Sequence, residues 1–486
     1  MNQSNTPLYT ALHLHNLKNY VSYHVPGHKN GFVQSNINED YFSAIMKIDA
    51  TELAGLDDLH SPESVILEAE QLLAELHGVK KSFFLVNGST AGNLAMILAV
   101  CKENDRMIVQ RNCHKSVMNG LQLAKARPIF IEPNYINSWD VAGGISREAV
   151  IQAIREYPDA KGVIVTYPNY YGMADSIREI VDEAHKYGIP VLVDEAHGAH
   201  FSAGGSFPEP ASSQGADIIV QSAHKTLPAM TMGSYLHVNS SLVSIDKIKE
   251  KLQFLQSSSP SYPIMASLDI ARCYLSGYNH NDLGFLMDQV SSFRRKLSQI
   301  KQITVLDYPG EGDLLKVTIQ SACQLSGFEL QRELEKAGIY TELADSKNVL
   351  FVLPLLKKGM FYPFEDTVQR INAILSPYEQ IINHKATIKI GRQSHSKLSL
   401  TYKKMEESDF ILSKIIEAEG MIAAETIIPY PPGIPIIIKG ERLQGDIIKR
   451  LMEMKQNGAR FQGGIHLDKG EILVFVEEEA DGGCNG

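Results

Sequence analysis

Between residues 82 and 221, six short runs rich in β-branched and aromatic residues recur, and helical patterns separate most of them. The runs are 82–86, 107–110, 128–132, 162–167, 191–194 and 217–221; the helical patterns are 91–102, 116–126, 147–157 and 177–187. Repeated βα units can bury both faces of their strands only as a mostly parallel sheet with helices on either side. A seventh run, 235–238, follows after residues 222–234 alone, which hold Pro228 and Gly233. That connection is short for a parallel crossover, so the seventh strand is expected to be antiparallel. The expectation is an α/β large domain over 61–300 built on a mostly parallel seven-stranded sheet.

The flanks read differently. Residues 1–60 show little periodicity and carry two turn-rich stretches, YHVPGHKNG (23–31) and TELAGLDDLH (51–60), as expected of an N-terminal arm packed on something larger. Ser61, Pro62 and Glu63 have the order of a helix start, with Ser as N-cap, and Gly78 closes that helix. Helices are expected over 242–255 and 264–275. Beyond residue 300, strand-like runs at 314–319, 349–353 and 434–438 mix with helical patterns at 327–337 and 441–456. This texture predicts a C-terminal α+β domain over 301–486.

With 486 residues, two or three cores are expected. A net charge of −10 argues against nucleic acid or an anionic membrane as a partner. No apolar run reaches the length that spans a bilayer, and MNQSNTPLYT lacks the apolar core of a signal peptide. The five cysteines show no CxxC spacing, so reduced thiols and a cytoplasmic location are expected.

The chemistry concentrates at strand ends. Asp194 ends the run VLVD, and Ser222, Ala223, His224 and Lys225 follow the next run. Parallel sheets place functional groups just past the carboxyl ends of their strands. An isolated lysine is ordinarily a solvated charge and an isolated aspartate a helix cap. Here a lysine and an acid stand on neighbouring strand ends, as pyridoxal phosphate requires: a lysine for its aldehyde and an acid for its pyridine nitrogen. Asn87-Gly88-Ser89-Thr90 lies between a strand and a helix, where free N–H groups and two hydroxyls can hold a phosphate. His114, after the next strand, could stack on an aromatic ring.

Three other motifs lead nowhere. Asp194-Glu195-Ala196-His197 spells a helicase-type DEAH box, yet the phosphate-binding GxxxxGK[ST] is missing. Ser222-x-x-Lys225 lacks the companions of the penicillin-binding enzymes. His24 and His28 flank Pro26 and Gly27, so they cannot form a zinc pair on a helix face. No metal site is expected.

Several long motifs occur in fixed order: HVPGHKNG (24–31), LAGLDDLH (53–60), FFLVNGSTAGNLAM (83–96), RNCHKSV (111–117), DEAHGAHF (194–201), QSAHKTLPA (221–229), SSSPSYPIMASLD (257–269) and PYPPGIP (429–435). On these the chain resembles the short Orn/Lys/Arg decarboxylases, pyridoxal-phosphate enzymes of fold type I, over nearly its whole length. The resemblance implies that Lys225 binds the cofactor aldehyde and Asp194 pairs with the pyridine nitrogen. It implies that His114 stacks on the ring, Ala196 packs on the other face, and His197 stands near the phenolic oxygen. Ser89, Thr90, Ser222 and His224 would hold the phosphate. Ser258 and Ser259 would reach the cofactor of a partner subunit in a homodimer with shared sites. No N-terminal wing domain is expected. Pro228 and Met232 depart from the family pattern after the lysine.

The implied function is decarboxylation of a basic amino acid (arginine, lysine or ornithine) feeding polyamine synthesis. The alternatives are another pyridoxal-phosphate reaction, by an aminotransferase, lyase or racemase, and a non-catalytic cofactor-binding protein. A basic substrate calls for an acid at its far end. Glu52, Asp57, Asp58 and Glu425 are the candidates, each with a structural cap or surface pair as its ordinary use.

Overall fold

The computed structural model describes residues 1–18, 20–33, 39–381, 395–429, 435–456 and 459–477, with backbone alone for 39–41. Most of the 429–435 motif, residues 430–434, lies outside this set.

The main sheet contains β1 (Lys81–Leu85), β2 (Arg106–Gln110), β3 (Arg127–Ile131), β4 (Val163–Thr166), β5 (Val191–Asp194), β6 (Ile218–Gln221), β7 (Ser234–Val238) and β8 (His395–Lys397). Their order is β1-β7-β6-β5-β4-β2-β3-β8. The pairs β3–β2, β2–β4, β4–β5 and β5–β6 are parallel. As the short 222–234 connection predicts, β7 is antiparallel to β6, and also to β1.

The expected seven strands are corrected to eight. β8 comes from the far C-terminal part of the chain and pairs antiparallel with β3. Its three residues, His395, Ser396 and Lys397, carry no apolar alternation, so nothing local marks a strand. The exposed hydrogen-bonding edge of β3 recruits them.

Alternation along the strands sorts their side chains into two cores. Phe84, Ile108, Ile129, Val163, Val193 and Ile219 join the core that extends to Val317, Ile319 and Phe351. Phe83, Val109, Phe130, Ile164, Leu192 and Val220 face the other side, packing with Tyr402, Met405 and Phe475. Burial of each such side chain contributes about 1.5–3 kcal/mol. The helix Gly88–Val100 lies directly on this second face. A Cβ on Gly92 would fall 2.8 Å from both Leu85 Cδ1 and Val220 Cγ1. Glycine at 92 therefore lets the helix approach and sets its N-terminus over the ends of β1 and β6.

A second sheet holds Ile303–Val305, Lys316–Ser321, Asn348–Val352 and Leu343–Ala344 in that order. The helices Gly327–Lys336 and Gly445–Gln456 form near their expected places. The expected strand over 434–438 does not: among the described residues there, Ile437 makes only an isolated bridge to Ile427. A third sheet, of Phe410–Lys414, Glu471–Phe475 and Ile422–Ala423, had no sequence signal strong enough to predict it.

The N-terminal helix Pro7–Asn16 packs against Tyr262–Ser276, where Asp269 Oδ2 accepts from the Leu8 and Tyr9 N–H groups. The helix expected to start at Ser61 starts later, at Val65, and Ser64 gives no side-chain cap. Its cap is Asp57, whose carboxylate accepts from the N–H groups of Glu63, Ser64 and Ile66 at 2.8–3.0 Å. A carboxylate at a helix N-terminus satisfies several orphan donors together, which one serine cannot do.

Candidate active site

The carboxyl ends of β2, β4, β5 and β6 and the N-terminus of helix Gly88–Val100 converge on a cavity of ≈ 300 Å³. Ser89, Thr90, His114, Asp194, Ala196, His197, Ser222, His224 and Lys225 all line it. Ser258 and Ser259 do not; both are exposed, in the segment whose Ser257 N–H points to Asn87 Oδ1 on the cavity rim at 3.4 Å. A larger groove of ≈ 400 Å³, bounded by Tyr340, Glu342, Phe351, Tyr362 and Phe364, runs along the second sheet. It gathers no comparable set of nucleophile, acid and hydroxyl groups, so the chemistry belongs to the smaller cavity.

Asp194 is 2 % exposed, and its carboxylate is already oriented. Oδ1 accepts from the Ala196 N–H at 3.2 Å and Oδ2 from Asn93 Nδ2 at 2.9 Å. The same Asn93 Nδ2 reaches Ser116 Oγ at 2.9 Å, and Ser116 Oγ meets His114 Nδ1 at 2.8 Å. His114 is the N-cap of helix Lys115–Leu123 and its Nδ1 accepts from the Ser116 N–H. That contact leaves the proton of a neutral ring on Nε2. Burial lowers the proton affinity of His114, Asp194 opposes this, and Lys225 and Lys115 reinforce it.

Lys225 sits in a single helical turn, Ala223–Thr226, rather than in an open loop. Its Nζ lies 3.0 Å from His197 Nε2 and 5.6 Å from the centre of the Tyr170 ring. Burial lowers its pKa below the ordinary lysine value, while the Asp194 and Glu342 carboxylates partly restore it. Desolvation, with Lys225 next in weight, pulls His197 well below the ordinary histidine value. A lysine that readily gives up its proton is suited to nucleophilic work on a carbonyl.

At the opposite wall Ser89 Oγ contacts Ser222 Oγ at 2.6 Å and Ser234 Oγ at 3.2 Å. Gly88 turns the chain into the helix with φ +75°, and Asn87 offers no side-chain cap, so the first N–H groups face the cavity. His224 Nδ1 donates to the Gly233 carbonyl at 3.0 Å. Met232 lines this wall with φ +77°, a left-handed backbone that a non-glycine residue adopts only under constraint.

These residues fit pyridoxal phosphate. Asp194 is an acid for the pyridine nitrogen, Lys225 an amine for the aldehyde, and the Gly88 helix end with Ser89 and Ser222 a set of phosphate donors. Four buried polar atoms of cavity-lining residues (Asn93 Oδ1, Thr166 Oγ1, Asn169 Nδ2 and His197 Nδ1) have no hydrogen-bond partner among the described residues. Buried polar groups left open in this way fit a polar ligand.

Asn93, Thr166, Asn169 and Tyr170 were not singled out from sequence. Asn93 lies inside the FFLVNGSTAGNLAM motif, but its polar function is invisible until the helix is placed over Asp194.

Of the four acids considered for the substrate's far end, three are occupied with backbone. Asp57 caps a helix, Asp58 accepts from the His60 N–H at 2.8 Å, and Glu425 accepts from the Gly464 and Leu473 N–H groups at 2.8 and 2.9 Å. Glu52 accepts from Thr51 Oγ1 at 2.5 Å. None of the four lines the cavity. Glu342, which sequence reasoning passed over, acts electrostatically on Lys225 and His224.

Among the described residues no group of three metal-ligating side chains could hold an ion, and no helix is long and apolar enough to cross a membrane.

Comparison with known proteins agrees with this geometry. Residues 6–310 match the family described as "Orn/Lys/Arg decarboxylase, major domain", and residues 389–468 match its C-terminal domain. The chain is 45% identical over 487 residues to the "Uncharacterized protein YaaO" of Bacillus subtilis (strain 168), covering 98% of this chain and 99% of that protein. It is 32% identical over 497 residues to the arginine decarboxylase of the same organism, covering 99% and 100% of the two chains. The fold matches that of the E. coli constitutive lysine decarboxylase with a TM-score of 0.79 at 18% identity, over 98% of this chain and 82% of that one. The chain belongs to the Orn/Lys/Arg decarboxylase family and is a pyridoxal-phosphate-dependent amino-acid decarboxylase of fold type I.

Proposed function

We propose that this decarboxylase acts on a basic amino acid, arginine, lysine or ornithine, and forms the corresponding amine for polyamine synthesis. The observation that carries the reading is the convergence of Lys225 and Asp194 on one cavity. Glu342 lines the neighbouring groove along the second sheet rather than this cavity, and it is the acid we propose for the cation at the substrate's far end. The arginine decarboxylase relative favours arginine as the first substrate to try.

Bound pyridoxal phosphate supplies an electron-accepting ring for the pair left behind when the carboxylate departs as CO₂. Lys225 holds the cofactor aldehyde. Asp194, oriented by Asn93 and Ala196, keeps a proton on the pyridine nitrogen, because a close opposite charge favours both ionised forms. His114 and Ala196 would flank the cofactor ring. Ser89, Thr90, Ser222 and His224 bind the phosphate with the helix N-terminus. The pair Lys225 Nζ and His197 Nε2, 3.0 Å apart, is placed to return a proton to the substrate's Cα.

The proposal extends to a homodimer in the cytoplasm, in which Ser258 and Ser259 serve the partner's site. Their exposure beside the cavity rim supports this, as do the free cysteines Cys101, Cys113, Cys273 and Cys323 for the compartment. The division into 1–60, 61–300 and 301–486 is proposed on the start of the second sheet at Ile303.

The test is incubation of the holoenzyme with a panel of amino acids, reading CO₂ and amine together. One basic amino acid should give both in equal amounts, and Glu342→Gln should raise its KM about tenfold or more, as loss of a charge-assisted hydrogen bond does. Turnover of only non-basic amino acids would overturn the substrate class.

A further inference from the structure

Lys316 lies on the strand Lys316–Ser321 of the second sheet and is 1% exposed. Its Nζ donates to the Tyr170 carbonyl at 2.8 Å. Tyr170 lines the active-site cavity, and its ring centroid is 4.7 Å from that of His197. The backbone of this loop is thus held from behind by Lys316, while its ring meets His197 in front. The approach is close: a Cβ on Gly172 would fall 2.9 Å from Lys316 Cδ and 2.7 Å from the Tyr308 hydroxyl.

Burying a cation costs several kcal/mol, and a methionine of similar length would fill the same space. The amine therefore does something that packing does not require. We infer that Lys316 is a positioning residue of the active site: it pins the Tyr170 carbonyl and so holds that ring against His197, whose Nε2 lies 3.0 Å from Lys225 Nζ. The inference rests on Lys225 as the lysine that carries the cofactor.

The surroundings agree. Burial brings Lys316 down to about 7; the Asp313 and Glu342 carboxylates oppose this and Lys225 adds to it. Asp313 is shared with His200, whose Nε2 lies 2.9 Å from Oδ1, so it does not serve Lys316 alone. Lys316 also lowers the proton affinity of His197, after burial and Lys225. With the cofactor on Lys225, Lys316 is the free amine of the two, and its charge would act on the proton of the cofactor-linked nitrogen.

The experiment starts with borohydride reduction of the holoenzyme and mapping of the pyridoxyl group. A label on Lys225 upholds the reading beneath the inference; a label on Lys316 removes both. The bound cofactor's absorbance is then titrated with pH. The wild-type curve should be broader than a one-proton transition. In Lys316→Met it should sharpen to one proton, with a midpoint about 0.5–1 unit higher, because a nearby positive charge is gone. Lys316→Arg, permanently charged, should give a one-proton curve at or below the wild-type midpoint. In Lys316→Met kcat should fall about tenfold with KM within about twofold, since Lys316 touches no substrate. Superimposable titrations of wild type and Lys316→Met, with the label on Lys225, would overturn the inference and leave the cofactor assignment standing. Should Lys316→Met fail to fold, Lys316→Gln, which keeps a donor for Tyr170 without the charge, carries the same test.

Discussion

Asn93 Nδ2 donates to Asp194 Oδ2 at 2.9 Å, and the same nitrogen reaches the serine that orients His114. The acid proposed for the pyridine nitrogen and the imidazole proposed to stack on the ring are thus fixed by one side chain. Asp194→Asn should keep cofactor binding and lose most turnover, because an amide N–H can donate to the ring nitrogen but cannot keep a proton on it. Asn93→Ala should cost about 10- to 100-fold in kcat with a smaller change in KM, as positioning groups do. Cofactor absorbance measured beside steady-state rates checks both, and wild-type kcat in Asp194→Asn would refute the assignment.

Arg111 binds both carboxylate oxygens of Glu441 within the protein, 330 positions away in sequence. Its Nη1 also reaches Ser396 Oγ in β8 at 3.3 Å. Removing one partner leaves a buried charge alone, so Arg111→Ala should destabilise the fold by about 3–5 kcal/mol. Arg111 Nε also lies 3.6 Å from Glu132 Oε1, so Arg111→Met combined with Glu441→Leu should recover part of that loss and leave the share that belongs to Glu132. Denaturant unfolding of the single and double variants reads the difference; additive losses would show that the pair is not coupled.

Ser258 and Ser259 lie outside their own chain's cavity, which motivates a complementation test. Lys225→Ala and the double variant Ser258→Ala/Ser259→Ala should each be weakly active or inactive. Mixed subunits should regain up to about a quarter of wild-type activity, on the arithmetic of one intact composite site in half of the dimers. Sedimentation measures the assembly alongside. No regain, or a fully active monomer, argues for sites built from one chain.

His77 and His237 are buried with ring centroids 4.4 Å apart, and His77 Nε2 has no hydrogen-bond partner among the described residues. Burial brings His77 from the ordinary 6.5 to about 4. Both rings are kept neutral in the fold, and for His237 burial and then His77 lower the pKa well below the ordinary value. A depressed folded value means the contribution is present above about 6.5 and is lost as pH falls through about 4. For His77 alone the loss between pH 7.5 and 4.5 is on the order of 2–3 kcal/mol. The drop in urea midpoint from pH 7.5 to 4.5 should be smaller in His77→Gln than in wild type. An equal drop in both would place the acid sensitivity elsewhere.

Much of the site was legible in the chain because βα repetition carries its own geometry. Short apolar runs bury both faces, so they must be central strands, and the residues just past them must share one edge. That reasoning reached Ser89, His114, Asp194 and Lys225 before any coordinate, and the antiparallel β7 from the length of its connection. The family motifs added Ala196 and His197. What stayed hidden has no local period. Asn93 is one polar residue in an apolar helix, and Lys316 reads as an ordinary first residue of a strand. The Asp57 cap fell to the nearer serine because helix-start rules weigh adjacent residues and Asp57 acts from a turn upstream.

The sequence by itself therefore determined the strand pattern, the edge where the chemistry gathers and the cofactor that suits it, since these follow from local periodicity and from residue types at strand ends. Tertiary structure alone decided that β8 covers the edge of β3, that Arg111 reaches β8 at Ser396 while pairing with Glu441, and that Lys316 stands behind Tyr170. Those contacts join residues far apart in the chain. Their energy comes from satisfying open backbone edges and buried charges, which exist only once the sheet has formed.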